Sequence, residues 1–166
     1  MLAATLLAHS PPAQTTTVIR AGLPELSDRA DLVVEGRVLS VSEYLAPGGM
    51  AYTDYQIRIS GRFKGASEDR LVVRLPGGAG TVVLGTPKLV PGTDVLLFLE
   101  RGHVGDTWVV LGLGQGHFVL DGGEFRRQFT DVGYVDLAYC TGGEALDRVS
   151  ATQLRRFLSA RFGGQR

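Results

Sequence analysis

Between residues 51 and 64 the chain alternates strictly. Ala51, Thr53, Tyr55, Ile57, Ile59 and Phe63 share one phase; Tyr52, Asp54, Gln56, Arg58, Ser60, Arg62 and Lys64 share the other. A period of two over so long a run predicts an antiparallel strand with one buried face. Gly61 interrupts the inner phase and predicts a bend. The stretch from Leu32 to Tyr44 alternates too, but slips: Leu32, Val34 and Val38 are followed by Leu39 and Val41. Such a slip is what a β-bulge produces, and bulges let a strand curl around the corner of a small barrel. Leu71, Val73 and Leu75 predict a third strand and Thr81 to Leu84 a short one. Val95 to Leu99 is continuously apolar, as in a strand buried on both faces. Trp108 to Leu113, Gly116 to Leu120 and Phe125 to Phe129 predict further strands, the last two joined by an Asp121-Gly122-Gly123 hairpin loop.

Two helices frame these strands. Leu23-Pro24-Glu25-Leu26 opens a short one that ends near Asp31, because proline fits the first turn and Glu25 complements the dipole there. Its inner face is Leu23, Leu26 and Ala30. Residues 150–162 predict a C-terminal amphipathic helix. Ser150 is its N-cap, Gln153 occupies the capping-box position, and Val149 and Leu154 form the matching staple. Leu154, Phe157, Leu158 and Phe162 line one face, Arg155, Arg156 and Arg161 point away, and Gly163-Gly164 ends the helix. The fold class expected is mainly β: a small antiparallel barrel or sandwich with a short N-terminal helix and a C-terminal amphipathic helix, one domain over residues 14–166.

Composition narrows the function. The chain has 166 residues, enough to bury a core without covalent staples. Seventeen basic and 17 acidic residues cancel, so nothing draws the whole chain to nucleic acid or anionic lipid. Cys140 is the only cysteine, which rules out an intrachain disulfide and a multi-cysteine zinc site. Residues 1–13, MLAATLLAHSPPA, read as the back half of a secretory signal cleaved near Ala13 or Gln14. The apolar run is too short to span a bilayer. The expected compartment is therefore periplasmic or secreted, with no stable membrane insertion.

The stretch Ala30-Asp31-Leu32-Val33-Val34-Glu35-Gly36-Arg37-Val38 resembles the opening of a group of uncharacterised bacterial exported proteins. Matching pieces continue through Tyr52-Thr53-Asp54-Tyr55, Phe63-Lys64-Gly65, Val72-Val73-Arg74-Leu75-Pro76-Gly77-Gly78, Pro91-Gly92, Leu96-Leu97-Phe98-Leu99 and Gly112-Leu113-Gly114-Gln115-Gly116-His117-Phe118. The same order is similar to the netrin-type OB barrel shared by tissue inhibitors of metalloproteinases. The resemblance implies an OB-like barrel with a binding or inhibitory role, and an extracellular metalloprotease as partner. Those inhibitors chelate the protease zinc with an N-terminal cysteine. Cys140 is the only cysteine here, so that mode does not carry over.

Signatures of catalysis are missing from the sequence. Gly112-Leu113-Gly114-Gln115-Gly116 lacks the following helix that a dinucleotide loop needs and reads as a bend. Gly77-Gly78-Ala79-Gly80 has no Lys-Ser or Lys-Thr after it and reads as a flexible loop. His9, His103 and His117 show no paired metal spacing, and no G-x-S-x-G elbow occurs. His117 reads as a hydrogen-bonded structural histidine, with a ligand contact as the competing reading. The expectation is a non-catalytic protein-binding module without cofactor or metal. The alternatives are a cell-envelope assembly factor and a small hydrolase built around His117. The surface chosen for binding is Tyr52, Gly78, Gln115 and His117, since loops and strand mouths carry most binding sites.

Overall fold

The computed structural model describes residues 17–103, 105–128, 133–135 and 147–163, and these are mainly β. In chain order the elements are β1 (Thr17–Ile19), α1 (Leu23–Arg29), β2 (Leu32–Leu45), β3 (Ala51–Lys64), β4 (Arg70–Pro76), β5 (Asp94–Arg101), β6 (Trp108–Val110), β7 (His117–Asp121), β8 (Glu124–Arg127), β9 (Gly133–Val135), β10 (Arg148–Ser150) and α2 (Ala151–Phe162). Eight strands form one sheet in the order β10-β8-β7-β5-β2-β3-β4-β6, and β6 pairs with β5 as well. Strands β5, β2, β3, β4 and β6 therefore run in a ring. Its closure is uneven: β3 and β4 are zipped from Tyr52 to Arg58, whereas β4 and β6 meet only at Val73 and Trp108. Strands β1 and β9 form a separate parallel pair.

Bulges give the ring its curvature. The β2–β3 register shifts between Val33 and Val34, between Glu35 and Gly36, and between Val38 and Ser40. The last shift leaves Leu39 unpaired on β2, where the apolar phase slips in the sequence. The first two leave Phe63 and Ser60 unpaired on β3. Each extra residue bends the strand and sharpens its twist. Gly36 sits at one of these shifts because a Cβ there would lie 2.5 Å from the Arg58 carbonyl oxygen. The bulges also redirect a side chain. Phe63, expected beside Ile57 and Ile59 in the ring, packs instead against the helix-covered core outside it.

Two apolar cores result, one on each face of β5. Inside the ring lie Leu32, Val34, Val38, Tyr55, Ile57, Val73, Leu75, Val95, Leu97 and Leu99. Outside it, Val33, Leu96, Phe98, Phe118 and Phe125 meet Leu23, Leu26 and Ala30 around α1 and Leu154, Leu158 and Phe162 of α2. This is why Val95 to Leu99 is apolar at every position: each of the five is 0% exposed. Lys64, which the alternation places in water, donates to Ser27 O and Asp28 O at 2.9 Å each and so holds the C-terminal carbonyls of α1.

Several local expectations are corrected. Residues 81–84 form no strand; Thr81 makes only a bridge to Gly78, since the two positive-φ residues between them, Ala79 and Gly80, turn the chain back at once. The strand begun at Trp108 stops at Val110, because Gly112, Leu113 and Gly114 all take positive φ. The Ser150 side chain makes no capping bond: Ser150 is the last residue of β10, paired with Glu124. Gly163 ends α2 as expected, with φ −65°. Arg155 turns back to the sheet, donating to Glu35 through Nε at 2.8 Å and Nη2 at 2.5 Å. The expected signal at 1–13, Cys140 and Phe129 lie outside the described residues.

Candidate functional site

At one end of the ring, β2, β3 and β4 and the loop 77–91 enclose a cleft of about 490 Å³. The loop is built by a tight turn. Gly78 and Thr81 exchange two backbone hydrogen bonds of 2.9 Å, and the residues between them, Ala79 and Gly80, have φ of 49° and 85°. Gly78 is obligatory because a Cβ there would fall 2.4 Å from Thr53 Oγ1 and 3.0 Å from the Glu43 carboxyl carbon. Two anchors hold the turn against the ring. Thr53 Oγ1 donates to Gly77 O at 3.0 Å, and Glu43 accepts the Ala79 N–H at 2.6 Å. Tyr55, 6% exposed, also lines the cleft. Burial raises its phenol pKa, opposed by a hydrogen bond with the Leu89 backbone and reinforced by the Glu43 charge.

The walls are apolar and face solvent. Val82 is 80% exposed, Val90 58%, Val41 45% and Val83 37%, and all four line the cleft. Lys88 and Glu43 supply one charge of each sign. Of the residues chosen from the sequence only Gly78 lines this cleft, and the valines were not among them. Val41 carried a signal, as the residue after the phase slip. The run Val82-Val83-Leu84 read as a strand because exposure is set by what packs against it, which local pattern does not report.

The four residues chosen from sequence do not come together. Gly78 lines the cleft. Tyr52 lies on the outer face of β3, stacked on Tyr44 at 5.8 Å, with its hydroxyl 3.7 Å from Met50 Sδ. Beside it Arg74 lies over Tyr44 at 5.0 Å and grips Asp54 through two bonds of 2.7 Å. Gln115 is 3% exposed and acts as a clamp: Oε1 accepts the Ala21 N–H at 2.6 Å, and Nε2 donates to Ile19 O at 3.0 Å. His117 stands opposite Leu97 in the ladder and is 1% exposed. Contrary to expectation, neither ring nitrogen has a hydrogen-bond partner among the described residues. Burial lowers its pKa to about 4, so the ring is neutral at neutral pH.

Among the described residues no three His, Cys, Asp or Glu side chains are grouped to hold a metal ion, and no helix is long and apolar enough to cross a membrane. His103 is exposed, and Asp106 pairs with Arg101 at 2.6 Å. Compared with known proteins, the chain matches no family model and none of the curated proteins.

Proposed function

We propose that this chain is an exported, non-catalytic module built on an OB-like barrel, and that it binds another protein through the mouth cleft. The observation that carries the reading is the concentration of solvent-exposed valines, Val41, Val82, Val83 and Val90, around one concave surface. Contiguous exposed apolar surface marks interaction sites, and loops held on a rigid scaffold are where such sites sit. The five-stranded ring supports the OB-like reading, and the apolar N-terminal run supports a periplasmic or secreted location. An extracellular metalloprotease is the first partner to test, on the strength of the resemblance. A hydrolase centred on His117 would need that ring to meet substrate, and it is 1% exposed and lines neither the cleft nor its walls.

The test compares tagged wild type with a Val82→Asp/Val90→Asp variant against culture fluid and envelope extract. Wild type recovers one partner in a defined ratio. The variant loses that capture at least about tenfold, because a charge is placed where an apolar surface must be covered, while its unfolding temperature stays within a few degrees. Equal capture by both proteins would move the function away from the cleft.

A further inference from the structure

We propose that the open edge of β4 accepts an extended, acidic segment of another protein as an added strand. The site is separate from the mouth cleft and does not depend on it. Hydrogen-bond parity fixes which backbone groups face outward. Ile59 N donates to Asp69 O and Gly77 N donates to Ala51 O, each at 2.9 Å. Both bonds are in register with the β3–β4 ladder. Leu71, Val73 and Leu75 therefore turn their N–H and C=O groups toward β3, and Arg70, Val72 and Arg74 turn theirs away from it. On that far side β6 pairs with β4 only at Val73. Arg70 and the N–H of Val72 precede that pair and stay on an open edge. A groove of about 630 Å³ runs beside them, walled by Ala66, Ser67, Glu68, Arg101, Asp106 and Trp108, with the Asp106 charge taken up by Arg101 at 2.6 Å. An extended chain pairs with such an edge at about 4.8 Å through its backbone alone.

Charge selects the occupant. In successive strands Asp94, Arg37, Arg58 and Arg70 stand opposite one another across the outer face. Arg37 is committed to Asp94 through bonds of 2.7 and 2.6 Å, and this pair holds the Asp94 carboxyl below its usual range. Arg58 and Arg70 are exposed neighbours of like charge, a destabilising arrangement; the Arg58 charge also helps to lower the Asp94 pKa, and Arg70, farther along the row, makes no ion pair among the described residues. A strand added beyond β4 places its own residue next to Arg70 on the same face. An Asp or Glu there ends the row with the charge that Asp94 supplies at its other end.

The experiment titrates the intact protein with a short peptide alternating glutamate and threonine, and with the lysine–threonine counterpart. Trp108 is the chain's single tryptophan and walls the groove, so its fluorescence reports occupancy. Amide hydrogen exchange read by NMR locates the contact. The expected result is tighter binding of the glutamate peptide, by about tenfold or more, with slowed exchange at Arg70 and Val72. Arg58→Glu/Arg70→Glu reverses the preference. Val72→Pro removes one edge donor, keeps every charge and weakens binding of the glutamate peptide. If either variant loses its β3–β4 protection when free, the wild-type exchange pattern decides alone. Absent binding, equal affinity for the two peptides, or binding that leaves exchange at Arg70 and Val72 unchanged would each overturn the proposal.

Discussion

On one face of β5, Val95, Leu97 and Leu99 fill a ring of strands; on the other, Leu96 and Phe98 meet two helices. The inner core is largely aliphatic and is closed by backbone pairing. The outer core is rich in phenylalanine, with Phe98 and Phe118 tilted at 58° and 5.9 Å apart, and is closed by side chains from α1 and α2. One continuous apolar run thus serves two kinds of closure. A ring is held by its ladder as well as by its packing. A helix laid on a sheet is held by its packing and, here, by a few side-chain ties such as Lys64 to α1 and Arg155 to Glu35, with no ladder behind them. The outer layer should therefore be the part that opens first.

Truncating the two faces separately is the strongest way to break this contrast. Phe98→Ala should cost about 3–5 kcal/mol and Leu97→Ala about 2–5 kcal/mol in chemical unfolding. The locations should differ more than the totals. Phe98→Ala should speed amide exchange in α2 and leave β3 protected, whereas Leu97→Ala should speed both. Identical exchange patterns would mean that the two cores melt as one.

His117 sharpens the contrast by pH. Its folded pKa of about 4 lies below the ordinary 6.5, so the fold favours the neutral ring. Its contribution is fully present above pH 6.5 and is lost as pH falls toward 4, at a cost of about 3 kcal/mol. A His117→Leu protein should lack that share of the acid slope in urea titrations at pH 7, 5.5 and 4. Parallel slopes in the two proteins would assign acid sensitivity to other groups.

The smallest expected effect concerns the tie between the layers. Arg155 of α2 holds Glu35 of β2, whose side chain is 13% exposed, but Arg155 itself is 43% exposed and solvent screens the pair. Arg155→Ala should lower stability by about 1 kcal/mol, with the loss shrinking in high salt. A salt-independent loss would point to the guanidinium's packing over the Phe125 ring, 5.7 Å away, instead of its charge.

What could be read from sequence follows the range of the interaction concerned. The alternation from Ala51 to Lys64 marks β3 from end to end, and the run at Val95–Leu99 reports burial on both faces, because each is a local period. The pairing of β1 with β9, the short β10 and the single contact closing β4 on β6 depend on residues far apart in the chain, and no local pattern encodes them. The candidate site shows the same divide. Gly78 stands in a glycine-rich turn, a local signal, and lines the cleft. The clamp role of Gln115 is not legible locally because both of its bonds reach residues more than 90 positions away. The stacking of Tyr52 on Tyr44 is equally out of local reach, because its partner lies on the neighbouring strand.

The Gln115 clamp has a consequence for the order of events during synthesis. Residues 19–21 are held by Gln115 and by Arg127, which donates to Ala21 O at 2.8 Å. A ribosome releases the chain from its N-terminus, so this early segment cannot reach the clamp until more than 90 further residues have emerged. Contacts that close so large a loop come late and slow the folding rate. Residues 19–21, made early, should be among the last described residues to become fixed.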